Sequence, residues 1–445
     1  MTKSFLSIFI LLNVNLSTAQ QIPLTGQVSI LNSKYNTGKI EYVKDAYVSS
    51  PFTKPDDTDD NGIFHMEFVG IKEGVSIQLN VEKPGFEVVN KRDLLDVVIG
   101  RKTTFRVFLA PKGQLALAQT ELYQVNIKSL TARYDQTIKR LRQEGAESRA
   151  AISQLEEQLG RTIANRFEAE ELLNEQLASL KKRLPEIAVE LASANLDFAS
   201  DMYRKAYEYF KAGEIEKTIE ALDETKLDAE AKDVINNIAQ LDSNISNLDT
   251  AHLFVQKQLS LSFESYRLKA RSFLKNLQPR EALTQYENAL KLLQENPDGR
   301  HQELADTYEE AAAVYRENGN TQKALEYLVA GIQTKEAYFG VGHSKIIPAY
   351  QLASAAFQET GNLDAAIYYG AKACEAIQKE GSASEPALKS ATEHLAVCYE
   401  QRGLKNLSQE KQTEAIEDFQ QLLAYQPARK DIQKIIKKLK KIDKP

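Results

Sequence analysis

Few residues in this chain are spaced for chemistry, and the clearest of them are acidic. Asp57-Thr58-Asp59-Asp60-Asn61-Gly62 has the D-x-D-x-N-G spacing of a calcium loop, in which oxygens surround a cation and a glycine turns the chain. Such a loop needs a bidentate glutamate at its twelfth position, and here that position is Phe68. Asp57, Asp59 and Asn61 are thus a candidate metal set beside a simpler reading, a polar hairpin turn with Asn61-Gly62 supplying positive φ. The five histidines, His65, His252, His301, His343 and His394, lie far apart and form no HExxH pair. Cys374 and Cys398 are the only cysteines, so no disulfide framework is expected, although a single bridge between them stays open. No G-x-S-x-G nucleophile elbow occurs, and Gly340-Val341-Gly342 is an unfinished glycine pattern in a loop where His343 would pack or cap. Acidic pairs abound, as solvated helix faces require. The residues point away from an enzyme and imply no cofactor.

The pattern that organises the chain is a repeat. Between residues 263 and 427 the same residue types return every 42 positions. Tyr266, Tyr308, Tyr350 and Thr392 align; four further on are the small residues Ala270, Ala312, Ser354 and Ala396; three beyond these are Phe273, Tyr315, Phe357 and Tyr399. Gly319, Gly361 and Gly403 follow, then Ala282, Ala324 and Ala366, then Ala289, Gly331 and Ala373. Rings, small residues and a turn glycine in this order describe a helical hairpin, in which small residues let two helices approach and rings fill the next layer. Fixed-period self-similarity means stacked units that bury their apolar faces against neighbours.

This stretch resembles tetratricopeptide repeats in the 42-residue form of kinesin-light-chain-like arrays, and Tyr338-Phe339-Gly340-Val341-Gly342-His343 resembles the connecting loop of that form. It departs at Leu277, where a glycine is expected, and in the fourth repeat, where seven extra residues slide the second-helix signature to Ala415, Phe419 and Pro427. Seven residues are about two helical turns, so a longer hairpin is expected. The resemblance implies a concave face lined by the first helix of each repeat. Mapped onto this chain it takes Arg267, Arg271 and Lys275, then Glu309, Arg316 and Glu317, then Gln351, Gln358, Glu359, Glu393, Glu400 and Gln401. Such a groove would run from basic to acidic and would hold a protein or peptide. The Lys/Asn pattern that clamps a C-terminal carboxylate is missing, as are the paired asparagines of kinesin-light-chain repeats.

The remaining segments must position this array. Residues 1–19 read as an export signal, with Lys3, an apolar run Phe5–Leu12 and small residues Ser17-Thr18-Ala19; cleavage near Ala19 and a periplasmic location are expected. Loss of Lys3 would move the net charge from −6 to −7, which argues against nucleic acid as a partner. The apolar run Phe5–Leu12 is too short to span a bilayer, and no other 18-residue apolar stretch exists. Residues 22–112 alternate like strands at Gly26–Ile30, Ile63–Phe68, Ser76–Val81 and Thr104–Leu109, predicting a small antiparallel sandwich. With Gly26, Gly62 and Lys83-Pro84-Gly85-Phe86 this segment resembles a carboxypeptidase-regulatory-like sandwich, a non-catalytic accessory module.

Residues 114–184 carry an apolar stripe, Ile152, Leu155, Leu159, Ile163, Phe167, Leu173, Leu177, Leu180 and Leu184, on a Glu/Arg/Lys-rich background. A coiled coil about 105 Å long follows if the helix is continuous. Such a rod pairs with a second chain as a homodimer or folds back on its neighbours; Gly145 hints at a break, and heptads falter near Arg161–Glu170. After Pro185, residues 185–262 read as an outlying hairpin with Ala206, Tyr209, Gly213 and Leu222 on repeat offsets, followed by a helical connector. Residues 263–428 are the repeats, and 429–445 a basic amphipathic helix that caps the array or rests on an anionic membrane. The sequence thus predicts a multidomain chain: a small all-β sandwich, a long helical coiled coil, and an all-α tetratricopeptide solenoid. The function expected of it is that of an exported, non-enzymatic scaffold. The rival expectation is a structural or sensory envelope component that homo-oligomerises through the coiled coil.

Overall fold

A computed structural model describes residues 21–91, 93–95, 97–99, 104–143, 145–242, 249–296, 300–380 and 385–442. The expected signal at 1–19 lies outside them. The chain divides into two units, one holding the N-terminal strands with residues 183–199, the other holding residues 125–182, 200–236 and 259–445.

In the first unit the strands are β1 (Gln21–Ile30), β2 (Tyr47–Ser49), β3 (Asp56–Asp57), β4 (Ile63–Val69), β5 (Ser76–Ile77), β6 (Asn80–Glu82), β7 (Phe86–Val88), β8 (Val97–Val98) and β9 (Phe105–Pro111), with a short helix α1 (Ser33–Thr37). They form sheets ordered β4-β1-β9-β7, β3-β2-β6 and β5-β8. The inward residues of β1 and β4 alternate as a half-buried strand requires, and Leu24, Val28, Phe64, Met66 and Phe68 join Val48, Val107 and Leu109 in one core. Two expectations are corrected. β1 pairs parallel with β9, so the sandwich is mixed rather than wholly antiparallel, and the run 76–81 splits between two sheets. The exposed edge of β4 is closed by side chains: Asp56 accepts from the His65 N–H and the Thr53 hydroxyl donates to the Glu67 carbonyl. Residues 194–197 return to this unit. The Asn32 amide donates to the Ala194 carbonyl at 3.0 Å and accepts from the Leu196 N–H at 2.6 Å, while Asp197 accepts from the Tyr35 N–H at 2.8 Å.

The long rod is not continuous. The segment forms α2 (Gln114–Arg142), α3 (Ala146–Leu159) and α4 (Arg166–Ala192), and the breaks fall at Gly145 and Gly160, both with positive φ. Asn165 then caps α4 by accepting from the Phe167 and Glu168 N–H groups. α4 runs on through Pro185, where a boundary was expected. Leu155, Leu159, Ile163, Leu173, Leu177, Leu180 and Leu184 are buried within the single chain, and of the stripe only Phe167, at 71%, is strongly exposed. The single long rod is thus replaced by three helices whose stripe packs mostly within the chain.

The second unit continues as α5 (Asp201–Lys211), α6 (Ile215–Ala221), α7 (Glu224–Asp242), α8 (Asp249–Lys275), α9 (Pro279–Glu295), α10 (His301–Glu317), α11 (Thr321–Phe339), α12 (Ile347–Glu359), α13 (Leu363–Glu380), α14 (Glu385–Ser408), α15 (Gln412–Tyr425) and α16 (Lys430–Ile442). Five hairpins, α5/α6, α8/α9, α10/α11, α12/α13 and α14/α15, turn in one way. A residue at Gly213, Leu277, Gly319, Gly361 or Glu410 takes left-handed φ of 61–76°, and the next N–H bonds back to the carbonyl of Tyr209, Phe273, Tyr315, Phe357 or Asn406 at 2.9–3.0 Å. This is the Schellman closure of a helix end. Leu277 therefore adopts the conformation of the glycine it replaces, and it is buried. Tyrosines at the 42-residue register tie successive units: Tyr266 donates to Asp228, Tyr308 accepts from Gln294 at 2.5 Å, and Tyr350 donates to Glu336 at 2.6 Å.

The fourth repeat corrects one assignment. Gly403 is not its turn glycine. α14 runs through it to Ser408, and the turn moves seven residues on to Glu410. Gly403 instead lies under the buried ring of Phe419, where an added Cβ would come within 2.7 Å of a ring carbon. The two positions should respond oppositely. Glu410→Gly relieves left-handed strain and should stabilise the repeats by about 1 kcal/mol. Gly403→Ala should destabilise them by about 1 kcal/mol, overpacking outweighing the gain in helix propensity. Thermal melts followed by circular dichroism check both signs.

Candidate interaction groove

The residues expected to line the groove fall into two groups. Arg267, Arg271 and Lys275, from the first repeat, are 3%, 2% and 4% exposed and are not displayed. This corrects their reading as groove residues. Both arginines converge on Glu310. Arg271 reaches it through Nε at 3.0 Å and Nη2 at 2.6 Å, Arg267 through Nη2, and the Tyr286 hydroxyl donates to the same carboxylate at 2.7 Å. Arg267 also pairs with Glu264 at 2.5 Å. Burial works to raise the Glu310 pKa, but the Arg271 and Arg267 guanidiniums outweigh it and hold the carboxyl well below the usual range. Glu310 aligns with the apolar Leu268 one repeat earlier, and that departure was its only signal in the sequence.

Lys275 donates to the Asn126 side chain, and its ammonium lies 3.9 Å from the centre of the Phe210 ring. Burial pushes its pKa well below the ordinary lysine range. The partners of this end of the array come from the folded-back helices. The Ser129 hydroxyl donates to the Gly213 carbonyl, Arg133 bonds Asn276 and Glu216, and Ser179 donates to Glu317. The chain's own residues 126–179 thus occupy the turn ends of the first hairpins.

The second group lies on the later repeats. Glu309 is held by Lys335 at 2.6 Å, and Glu400 by a forked pair with Arg429 at 2.6 and 3.1 Å. Arg316, Glu359, Glu393 and Gln401 are exposed, and Gln351 is half-buried. Gln358 donates to Gln401 at 3.2 Å and joins α12 to α14. Along α14 the positions Glu393, Val397 and Leu404 follow one helical face, with Val397 40% and Leu404 50% exposed. Neither apolar residue was singled out from the sequence, although both sit at helical spacing from Glu393.

The remaining candidates are structural. Asp59 accepts from the Asn61 and Ile63 N–H groups at 2.8 Å each, and only Gly62 of the turn has positive φ. Asp57 is part of β3 and pairs with Tyr47, while Asp59 and Asn61 form a tight turn between two sheets rather than a hairpin, and Asn61 does not supply the second positive φ expected of it. Among the described residues no cluster of three or more His, Cys, Asp or Glu is placed to hold a metal. Cys374 and Cys398 are buried free thiols in one apolar cluster, with burial pushing both pKa values up to about 11. His394 approaches the Ser354 hydroxyl at 3.1 Å, and that buried hydroxyl donates to the Ala366 carbonyl at 2.7 Å. His343 stacks on Phe339 and accepts from the Lys345 N–H, a packing and capping role.

Residues 262–337 match the tetratricopeptide repeat family. The chain carries tetratricopeptide repeats. Solved structures with some likeness include nearly identical TPR-like repeats named as a kinesin light chain of Podosopora anserina, at 18% identity and TM-score 0.32, covering 51% of this chain and 95% of that one. BtubC from P. vanneervenii aligns at 16% identity and TM-score 0.27 over 46% of this chain and 74% of its own. Aspartyl phosphate phosphatase F from Bacillus subtilis aligns at 16% and 0.25 over 75% and 95%. These superpositions are partial, and the repeat assignment rests on the family match and the hairpin geometry. Among curated proteins no sequence relative is found.

The charge cluster should be felt in stability. Glu310→Gln takes the shared carboxylate from two buried guanidiniums, leaving Arg267 only Glu264, and should cost about 3 kcal/mol. Because the folded pKa lies below that of an ordinary glutamate near 4.5, the stabilisation is complete above that pH and fades as pH falls below it. Wild-type stability, followed by circular dichroism, should therefore fall as pH drops below about 4.5, and in Glu310→Gln that fall should be shallower, so that the gap between the two proteins narrows in acid.

Proposed function

We propose that this chain is a non-enzymatic scaffold holding a protein or peptide partner on the open half of its repeat groove, α12 with α14. The observation that carries this reading is the division of the groove. The first-repeat residues are consumed by contacts within the chain, whereas Gln351, Gln358, Glu393, Val397, Gln401 and Leu404 lie along the later helices. Glutamine amides both donate and accept, which suits the backbone of a bound peptide. Val397 and Leu404 offer apolar anchors, and Glu359 and Glu393 favour a partner with basic side chains. Burial of most of the 114–184 stripe within the chain favours this reading over the homo-oligomeric one.

A pull-down from envelope extract with mass spectrometry tests this. Val397→Glu with Leu404→Glu should abolish recovery of a specific partner while leaving the helical melt unchanged. Equal recovery by the double variant would sink the groove assignment.

We also read the chain as exported, with the strand-rich unit as a non-catalytic accessory module. The basis is the short apolar run at Phe5–Leu12 ending in small residues. N-terminal sequencing of the protein from its native envelope fraction should find a start near Gln20. An intact Met1 would overturn this.

A further inference from the structure

The last described helix carries a surface that neither the repeats nor the groove uses. Ile432 and Ile436 of α16 are buried against α15, with Ile435 and Leu439 packed beside them, and the Gln412 amide donates to the Leu439 carbonyl at 2.7 Å. The opposite face holds Lys430, Lys434, Lys437, Lys438 and Lys440, all exposed. Asp431, the helix's one carboxylate among these residues, is taken by Arg429, which also grips Glu400 on α14. Among the described residues no carboxylate pairs with any of the five lysines.

Stability does not account for this face. The helix dipole favours cations in the last turn, which covers Lys438 and Lys440, but it disfavours them at the start, where Lys430 and Lys434 lie. A cap needs a polar outer face, and mixed charges meet that need. α9, α10, α11, α13 and α14 each carry both signs. Residues 429–445 instead hold eight Lys or Arg against two Asp, a formal +6 in a chain whose total is −6.

We propose that the outer face of α16 docks the chain onto an anionic lipid bilayer. Five ammoniums on one side of a straight helix present a flat, single-sign surface about 15 Å long, matching a plane of phosphates. The face has no arginine fork or aromatic ring, the groups that recognise bases. Its apolar side is sealed against α15, so the helix binds by charge and does not insert. Attachment is therefore reversible and salt-sensitive, and it leaves the α12/α14 groove unoccupied.

Co-sedimentation of the full chain with vesicles tests this. Binding to phosphatidylcholine vesicles containing about 30% phosphatidylglycerol should exceed binding to pure phosphatidylcholine at least about tenfold, and should vanish at about 0.5 M salt. Lys434→Glu with Lys437→Glu and Lys438→Glu should lose binding. Lys226→Glu with Lys232→Glu and Lys291→Glu, the same charge change elsewhere, should retain it. Binding that ignores lipid charge, survives the α16 substitutions or is absent altogether would overturn the proposal. Displacement by duplex DNA at matched phosphate concentration would assign the face to nucleic acid instead and equally overturn it.

Discussion

Everything in the repeat array depends on one backbone constraint: each first helix must end in a residue that accepts left-handed φ. Only then can the following N–H close on the carbonyl five residues back and send the second helix antiparallel to the first. Glycine meets the requirement at 213, 319 and 361, while Leu277 and Glu410 meet it against their own preference. The left-handed region costs an L-residue about 1–2 kcal/mol, so packing around these turns must supply it. At Leu277 the side chain is itself buried. The tyrosine bonds from one unit to the next, at Tyr266, Tyr308 and Tyr350, then fix the stacking that a common turn permits.

A second constraint follows from charge. Two guanidiniums this deeply buried demand a carboxylate, and Glu310 of the next repeat supplies it, so the first two repeats are locked as a pair. Lys275, one turn further along, finds an amide and a ring rather than a carboxylate, and burial disfavours its charge. Both arrangements exclude water from one end of the array. They leave the later first helices as the exposed portion, where polar amides alternate with Val397 and Leu404.

Much of this was legible in the sequence because the 42-residue period compares each position with its own copies. That comparison located the helices, predicted a longer fourth hairpin, and set the residues that now separate into buried and open groups. It misjudged Gly403 because an insertion that preserves helical phase leaves a glycine in register while moving the turn it was taken to mark. Non-repeating segments offered no such comparison. A lone glycine is tolerated within a helix or ends it, and the residues around Gly145 and Gly160 do not say which; both take positive φ, and the helices end there. Neighbouring residues are equally silent on Asn126, Arg133 and Ser179, whose partners lie more than eighty residues away. The sandwich strands were visible by alternation, but alternation carries no strand order, so the parallel pairing of β1 with β9 was hidden.

The central claim is that the chain's own helices occupy the first-repeat end of the groove and leave the later end open. Lysine footprinting of the native full-length protein, read by mass spectrometry, tests it directly. Lys275 and Lys335 should resist acylation under conditions that modify Lys405, Lys411 and Lys434, and should react only on unfolding. Modification of Lys275 at the rate of those exposed lysines would mean that the first-repeat face is open to solvent, and the account would be wrong.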